Sequence, residues 1–387
     1  MAFASIGLVF SAVSTYDFVA HLDRQIHSIT CAYVPGLGAV DVSGTSGCHA
    51  VLMSPYSSVL RSSTWGGIPI ALPSLAVFAF LLFRALDVWV RKVENDRGET
   101  RFLVAATALP LLASIAYFWI STQIIGSVCK LCVGAYAASL GVFLFALLAH
   151  LKGGGEANAA PVEGSGRRYG MYLVEGVVFV VVPVLLYLAL KPAYSVELGR
   201  CGQLLYPQDK YGVRVKLNNP PRGVPAIEVL DPLCPACKGF AERLVASDLN
   251  SRLKLELAMF PLDKECNWMV SESLHPGSCA ASEAVLCAGD QVGQVLGWIF
   301  AHQDELRELG LAGPDQVYQR LKQAFPRMSG CLDKPAVKAQ LNRSLRWAVS
   351  NSLPVLTPQL YVRDQKVCDE DTDLGLEYVL TQILDAE

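Results

Sequence analysis

The chain has 387 residues, of which 52% are hydrophobic and only 17% charged, with a formal net charge of -3. A soluble domain carries about 25% charged residues, so this composition excludes a disordered chain and a nucleic-acid binder driven by net basic charge. It points to a protein partly in a membrane, and twelve cysteines are too many to be incidental.

A bilayer core takes about 20 apolar residues in a helix. Residues 2–22, 62–83, 102–129, 131–151 and 176–190 are the candidate spans. The first carries Asp17 and could also be read as a signal peptide. That reading is the weaker one, because no Lys or Arg precedes its apolar run. Pro69, Pro73, Pro110 and Pro183 fall inside the spans, where neighbouring helices tolerate a kink. Trp65, Trp89 and Trp119 fit interfacial belts, and Asp17, His150 and Glu175 read as residues near membrane ends. The loops at 91–101 and 151–168 hold most of the Lys and Arg between spans, so the positive-inside rule assigns them to the cytoplasm. Residues 23–66 and everything after about 191 then lie outside, where disulfides persist.

The stretch 151–168 is a Gly/Ala/Pro linker between a four-helix unit (1–150) and a fifth helix (169–191). Residues 192–387 have mixed character. Strands are expected at 226–230, 253–260 and 359–362, helices across 280–350, and a last helix near 373–385. The fold class expected is a polytopic α-helical membrane protein fused to an α/β domain.

All twelve cysteines fall on the outer side or at its edge. Cys31 and Cys48 lie in the first outer loop, and Cys129 and Cys132 form CKLC at the outer end of the fourth helix. The other eight are Cys201, Cys234, Cys237, Cys266, Cys279, Cys287, Cys331 and Cys368. Cys234-Pro-Ala-Cys237 follows a β-rich run and opens an amphipathic helix. That spacing lets two sulfurs meet within a turn, and the helix N-terminus favours a thiolate, the species that exchanges disulfides. Zinc would need a second pair at suitable spacing, so redox chemistry is favoured and no metal is expected. Thr357-Pro358 precedes a strand and is the candidate for a cis peptide shaping a substrate groove. Cys266 with Cys279 and Cys287 with Cys331 are offered as structural pairs. Cys201 and Cys368 are left over, and six cysteines allow 15 connectivities.

GCHAVLMSPYSSVL at 47–60, GIPIAL at 67–72 and SVCKLCVGAYA at 127–137 resemble the vitamin K epoxide reductase family. Residues 224–387 resemble a DsbA-like thioredoxin domain: strand, CPAC, helix, helical insertion, Thr-Pro, strand and helix. The resemblance implies a thiol:disulfide oxidase of a bacterial inner membrane that forms disulfides in exported proteins. Electrons would pass from a reduced periplasmic client to Cys234–Cys237, then to Cys31–Cys48, then to Cys129–Cys132, and on to ubiquinone or menaquinone. It further implies that Cys132, Ser54 and Tyr136 meet the quinone. Two other readings remain at this stage: an outward-directed reductase or isomerase, and a non-enzymatic thioredoxin-like binding module on a membrane anchor.

Overall fold

The computed structural model describes residues 1–23, 47–93, 96–152, 165–192, 194, 196 and 198–386. It divides into two compact units, Met1–Ala193 and Tyr194–Glu387. In the first unit, α1 (Ala2–Ala20) is followed by the short α2 (Gly47–Leu52) and a two-stranded hairpin, β1 (Ser58–Val59) with β2 (Ile68–Pro69). Then come α3 (Ala71–Arg91), α4 (Arg97–Trp119), α5 (Lys130–Lys152) and α6 (Ser165–Leu190). Among the described residues five helices are long and apolar enough to cross a membrane. Helices α1, α3, α4 and α5 close a ring of neighbours, and α6 packs on α3.

Large apolar side chains cover the outside of this unit. Leu109, Leu112 and Ile115 of α4 are each more than half exposed. On a soluble protein so large an apolar surface would be a liability, whereas a bilayer covers it. Close helix approach is written into α5. A Cβ on Gly134 would lie 2.6 Å from the Phe10 ring of α1, so only glycine admits that ring.

Charge inside this unit is paired. Arg84 of α3 is 3% exposed and Glu99 of α4 1%, and their N···O distance is 2.9 Å. Arg91 reaches the same carboxylate at 3.0 Å, and the Tyr172 hydroxyl of α6 donates to it at 2.5 Å. The Arg84 guanidinium also lies 3.6 Å from the Tyr172 ring centroid. Unpaired charges among apolar helices are costly, so this lock fixes α3, α4 and α6 to one another.

Several expectations shift. The run 62–83 is not one helix: Gly66 and Gly67, both at positive φ, and the β1–β2 hairpin occupy its start, and α3 begins only at Ala71. Pro69 accordingly sits in a strand. Trp65 is no belt residue, being 2% exposed inside the unit. Asp17 is likewise buried, His150 meets the Thr100 hydroxyl at 2.9 Å, and Glu175 lies 3.6 Å from Arg84. Helix α4 continues as a π-helical extension through Ile120–Ile125.

The second unit is built on a five-stranded sheet. Its strands are β3 (Val215–Lys216), β4 (Val224–Leu230), β5 (Leu253–Met259), β6 (Gln359–Val362) and β7 (Gln365–Lys366), in the order β3-β5-β4-β6-β7. Central β4 runs parallel to β5 and antiparallel to β6. The parallel pair needs a crossover helix, supplied by α7 (Pro235–Ala246). Between β5 and β6 stand α8 (Ser278–Leu286), α9 (Val292–Ala301), α10 (Gln303–Ala312), α11 (Pro314–Ala324) and α12 (Pro335–Ser350), and α13 (Leu376–Asp385) ends the chain. Strand β4 is buried on both faces, as its run of Ala226, Ile227, Val229 and Leu230 requires. One core packs Val229, Ala258, Phe260 and Tyr361 against Leu345 and Trp347 of α12. Sheet order, crossover helix and the CPAC at its start describe a thioredoxin-like α/β fold. Disulfides join Cys201 to Cys368, Cys266 to Cys279 and Cys287 to Cys331.

Candidate functional site

Two cysteine centres stand out, one in each unit. In the membrane unit, Cys129 precedes α5, and its carbonyl accepts the first helical bond from Val133 N–H at 3.0 Å. Its Sγ accepts the Cys132 N–H at 3.3 Å, which is the geometry of a helix N-cap. Cys132 lies within the first turn, so two residues of spacing bring both sulfurs to one side. Cys129 and Cys132 are free thiols, and Cys48 of α2 is disulfide-bonded. Cys31 lies outside the described residues. Cys48, Cys129 and Leu131 form one buried cluster, with Cys132, Val51 and Phe10 packed on it. The approach of α2 is as close as backbone permits: a Cβ on Gly47 would lie 2.4 Å from the Val128 carbonyl oxygen.

Beside this cluster lies a cavity of about 290 Å³ inside the four-helix ring. Its wall is mostly apolar, with Phe10, Leu52, Val77, Leu109 and Leu131 among its residues. All three described cysteines of this unit reach it, as do Tyr117, Tyr136 and Asp17. Tyr136 meets Phe118 edge-on at 6.2 Å. Ser54 does not line the cavity. Its hydroxyl turns back to the Val51 carbonyl at 2.8 Å, and Ser57, which does line the wall, bonds the Ser54 carbonyl at 2.9 Å. Ser54 therefore shapes the turn after α2, and the quinone contact expected of it has no support in its position. A largely apolar cavity, open on one side, with a few hydroxyls and adjacent sulfurs fits a flat apolar ring with polar oxygens.

In the second unit, Cys234 is the N-cap of α7 and Pro235 its first residue, where a missing N–H costs nothing. The Thr357–Pro358 peptide is cis, and the Cys234 thiol donates to the Thr357 carbonyl at 3.6 Å. Cys237 is fully buried. A hydrogen bond from Cys237 outweighs burial and, with the nearby His275 charge, brings the Cys234 thiol down to about 7. Burial, and then that same bond, hold the Cys237 thiol well above its ordinary range. Near neutral pH one sulfur is thus about half ionised and the other is not, a difference that would suit a nucleophile and a resolving partner.

Three further groups surround this pair that sequence reading passed over. Glu228, six residues before Cys234 on β4, is 2% exposed, and its Oε1 has no hydrogen-bond partner among the described residues. Burial, and then the Cys234 charge, push its carboxyl up to about 8. Asp231 is fully buried and accepts from Leu233 N–H, Leu262 N–H and His275 Nδ1, each at 2.8 Å, and from the Ser278 hydroxyl at 2.5 Å. Burial works against protonation of His275, but the Asp231 bond and charge prevail and raise it. A carboxylate in a β-rich run is the one signal that could have singled out Glu228. No signal of spacing marks His275, 44 residues from its partner.

Residues 1–147 match the model of the Vitamin K epoxide reductase family. No curated protein matches the chain. Among solved structures, reduced DsbA1 from Neisseria meningitidis matches at 17% identity, covering 51% of this chain and all of that one, with a TM-score of 0.33.

Proposed function

From a chain that carries a vitamin K epoxide reductase family domain over residues 1–147 and a thioredoxin-like unit after it, we propose a membrane thiol:disulfide oxidase that moves electrons from exported proteins to a quinone. The observation that carries this reading is the apolar cavity with Cys48, Cys129 and Cys132 all on its wall. An anchor has no use for sulfurs beside an apolar hole, and a dithiol and a quinone each exchange two electrons.

Cys234 is the sulfur that clients meet, and Cys237 resolves the mixed disulfide. Glu228, protonated near neutral pH, supplies a proton to the Cys237 sulfur as it leaves. The loop pair Cys31–Cys48 takes the electrons next. Cys48 is bonded while every other described cysteine is free or paired elsewhere, which supports Cys31 as its partner. Cys48 then exchanges with Cys129, its neighbour in the buried cluster. Cys132 and the Tyr117 and Tyr136 phenols would hold the quinone ring against the cavity wall. A bound quinone would accept the two electrons and two protons of the Cys129–Cys132 dithiol. The bacterial inner membrane, with the thioredoxin-like unit on its outer side, belongs to the same proposal. It is supported by the basic loops at 91–101 and 151–168.

The test is quinone reduction followed by absorbance, using full-length protein in detergent and a reduced unfolded protein as donor. Wild type should turn over, and Cys132→Ala and Cys234→Ala should each abolish it. Turnover that survives either substitution would overturn the relay.

A further inference from the structure

The CPAC dipeptide offers its own thiolate little help. Pro235 and Ala236 carry no charge and no side-chain donor, which leaves the Cys237 hydrogen bond and the partial charge of the α7 N-terminus. Asp231, three residues before Cys234, adds a buried negative charge. Its two oxygens accept four donors, which fills the lone pairs of an ionised carboxylate. An anion so close to a sulfur opposes a thiolate unless a cation offsets it.

We propose that His275 is that cation: a positioning residue, held on Asp231, whose imidazolium keeps the Cys234 sulfur in its thiolate form during disulfide exchange. The inference rests on the reading of Cys234 as the exchanging sulfur. The loop bearing His275 is tied on all sides. Leu274 and His275 N–H groups both donate to the Leu262 carbonyl, at 2.9 and 3.2 Å. Asp263 accepts from the Ser273 hydroxyl at 2.8 Å and from Gly277 N–H at 2.9 Å, and Cys266–Cys279 closes the loop covalently. A ring fixed in this way needs no reorganisation when charge develops on the sulfur. The charged and titratable groups facing His275 are Asp231 and Cys234, which favour its protonation, and Arg307 of α10, which opposes it. Cys234 itself faces Cys237, His275, Asp231 and Glu228.

In the exchange, a client thiolate attacks Cys234 Sγ of the Cys234–Cys237 disulfide. The S–S bond breaks, a client–Cys234 bond forms, and the electron pair leaves on Cys237, which takes the Glu228 proton. A second client thiolate attacks the client sulfur, forms the client disulfide and expels Cys234 as a thiolate. Two electrons have moved from the client to the cysteine pair. His275 acts on this last leaving group, and a better-stabilised leaving thiolate departs faster.

The experiment measures Cys234 alkylation against pH in full-length protein, read by peptide mass, together with the glutathione redox equilibrium. His275→Asn retains a donor at the position of Nδ1 but removes the charge. Ser278→Ala removes a different donor to Asp231 and no charge. Expected for His275→Asn is a fall of about tenfold in alkylation rate at pH 6, one pKa unit, and an equilibrium shifted by a similar factor toward the disulfide. Ser278→Ala should stay within about twofold on both readouts. A His275→Asn profile superimposed on wild type, or an equal shift in Ser278→Ala, would overturn the proposal. His275→Gln carries the same prediction if the Asn variant does not accumulate. Neither readout involves a quinone, so failure of the relay leaves this test intact.

Discussion

Gly47→Ala is a one-carbon change whose effect can be worked out from the backbone. The added Cβ would lie 2.4 Å from the Val128 carbonyl oxygen and 3.1 Å from its carbon. Ordinary C···O contact begins at roughly 3.3 Å, so the two segments must part by about 1 Å. The obstacle is main chain, which cannot rotate aside as a side chain would. The displacement falls on the sulfurs, because Cys48 follows Gly47 and Cys129 follows Val128. Overpacking costs about 1–3 kcal/mol, partly offset by the gain of up to about 1 kcal/mol from replacing a helical glycine. Folding should therefore survive while sulfur transfer suffers, since a 1 Å misplacement can cost about 100-fold. The assay uses a Cys31→Ser, Cys132→Ser background, which isolates Cys48 and Cys129. Oxidant-driven formation of their disulfide is followed by non-reducing gel, with and without Gly47→Ala. A slowing of about 10- to 100-fold is expected, and a rate unchanged within twofold would refute the reasoning.

Glu99→Gln should destabilise the membrane unit by about 1–3 kcal/mol, seen as a lower midpoint in detergent unfolding, because Arg84 keeps only the more exposed Asp87 at 2.9 Å and Glu175 at 3.6 Å as counterions. Cys234 should alkylate at half its maximal rate near pH 7 while Cys237 stays unreactive through pH 9, as peptide mass analysis of the reduced protein would show. Glu228 sets a pH slope on the stability of the reduced form. Its carboxyl titrates near 4.5 when unfolded and about 8 when folded, so the stability is present below 4.5 and lost as pH rises through 8. The loss amounts to about 5 kcal/mol at 1.36 kcal/mol per unit. Glu228→Gln should flatten that slope in urea unfolding, and an unchanged slope would count against the assignment.

The membrane helices could be read because a bilayer demands long charge-free runs, and such runs are one-dimensional features. The strands β4, β5 and β6 showed in their β-rich composition, and CPAC declared itself by two-residue spacing ahead of an amphipathic helix. What stayed hidden depends on contact across the chain. Arg84 and Glu99 are 15 residues apart, and Tyr172 is 73 residues from Glu99, so nothing local announces their lock. Strands β3 and β7 are two residues each and exist only as partners of longer neighbours. Trp65 was misread because an amphipathic ring near a span end looks interfacial whether it faces lipid or the bundle. Ser54 and Ser57 differ by under one turn, and only the fold decides which of them reaches the cavity.

The three disulfides of the second unit have a consequence for supply. Cys201 and Cys368 are 167 residues apart, and Cys287 and Cys331 are 44 apart. A newly made copy therefore starts with six unpaired thiols, four of them with distant mates, in addition to its working ones. On the proposed function, the oxidant for those thiols is a mature copy of the same protein. Synthesis then feeds back on itself: output per copy rises with the number already finished, and a cell emptied of the protein recovers after a lag, along an accelerating curve.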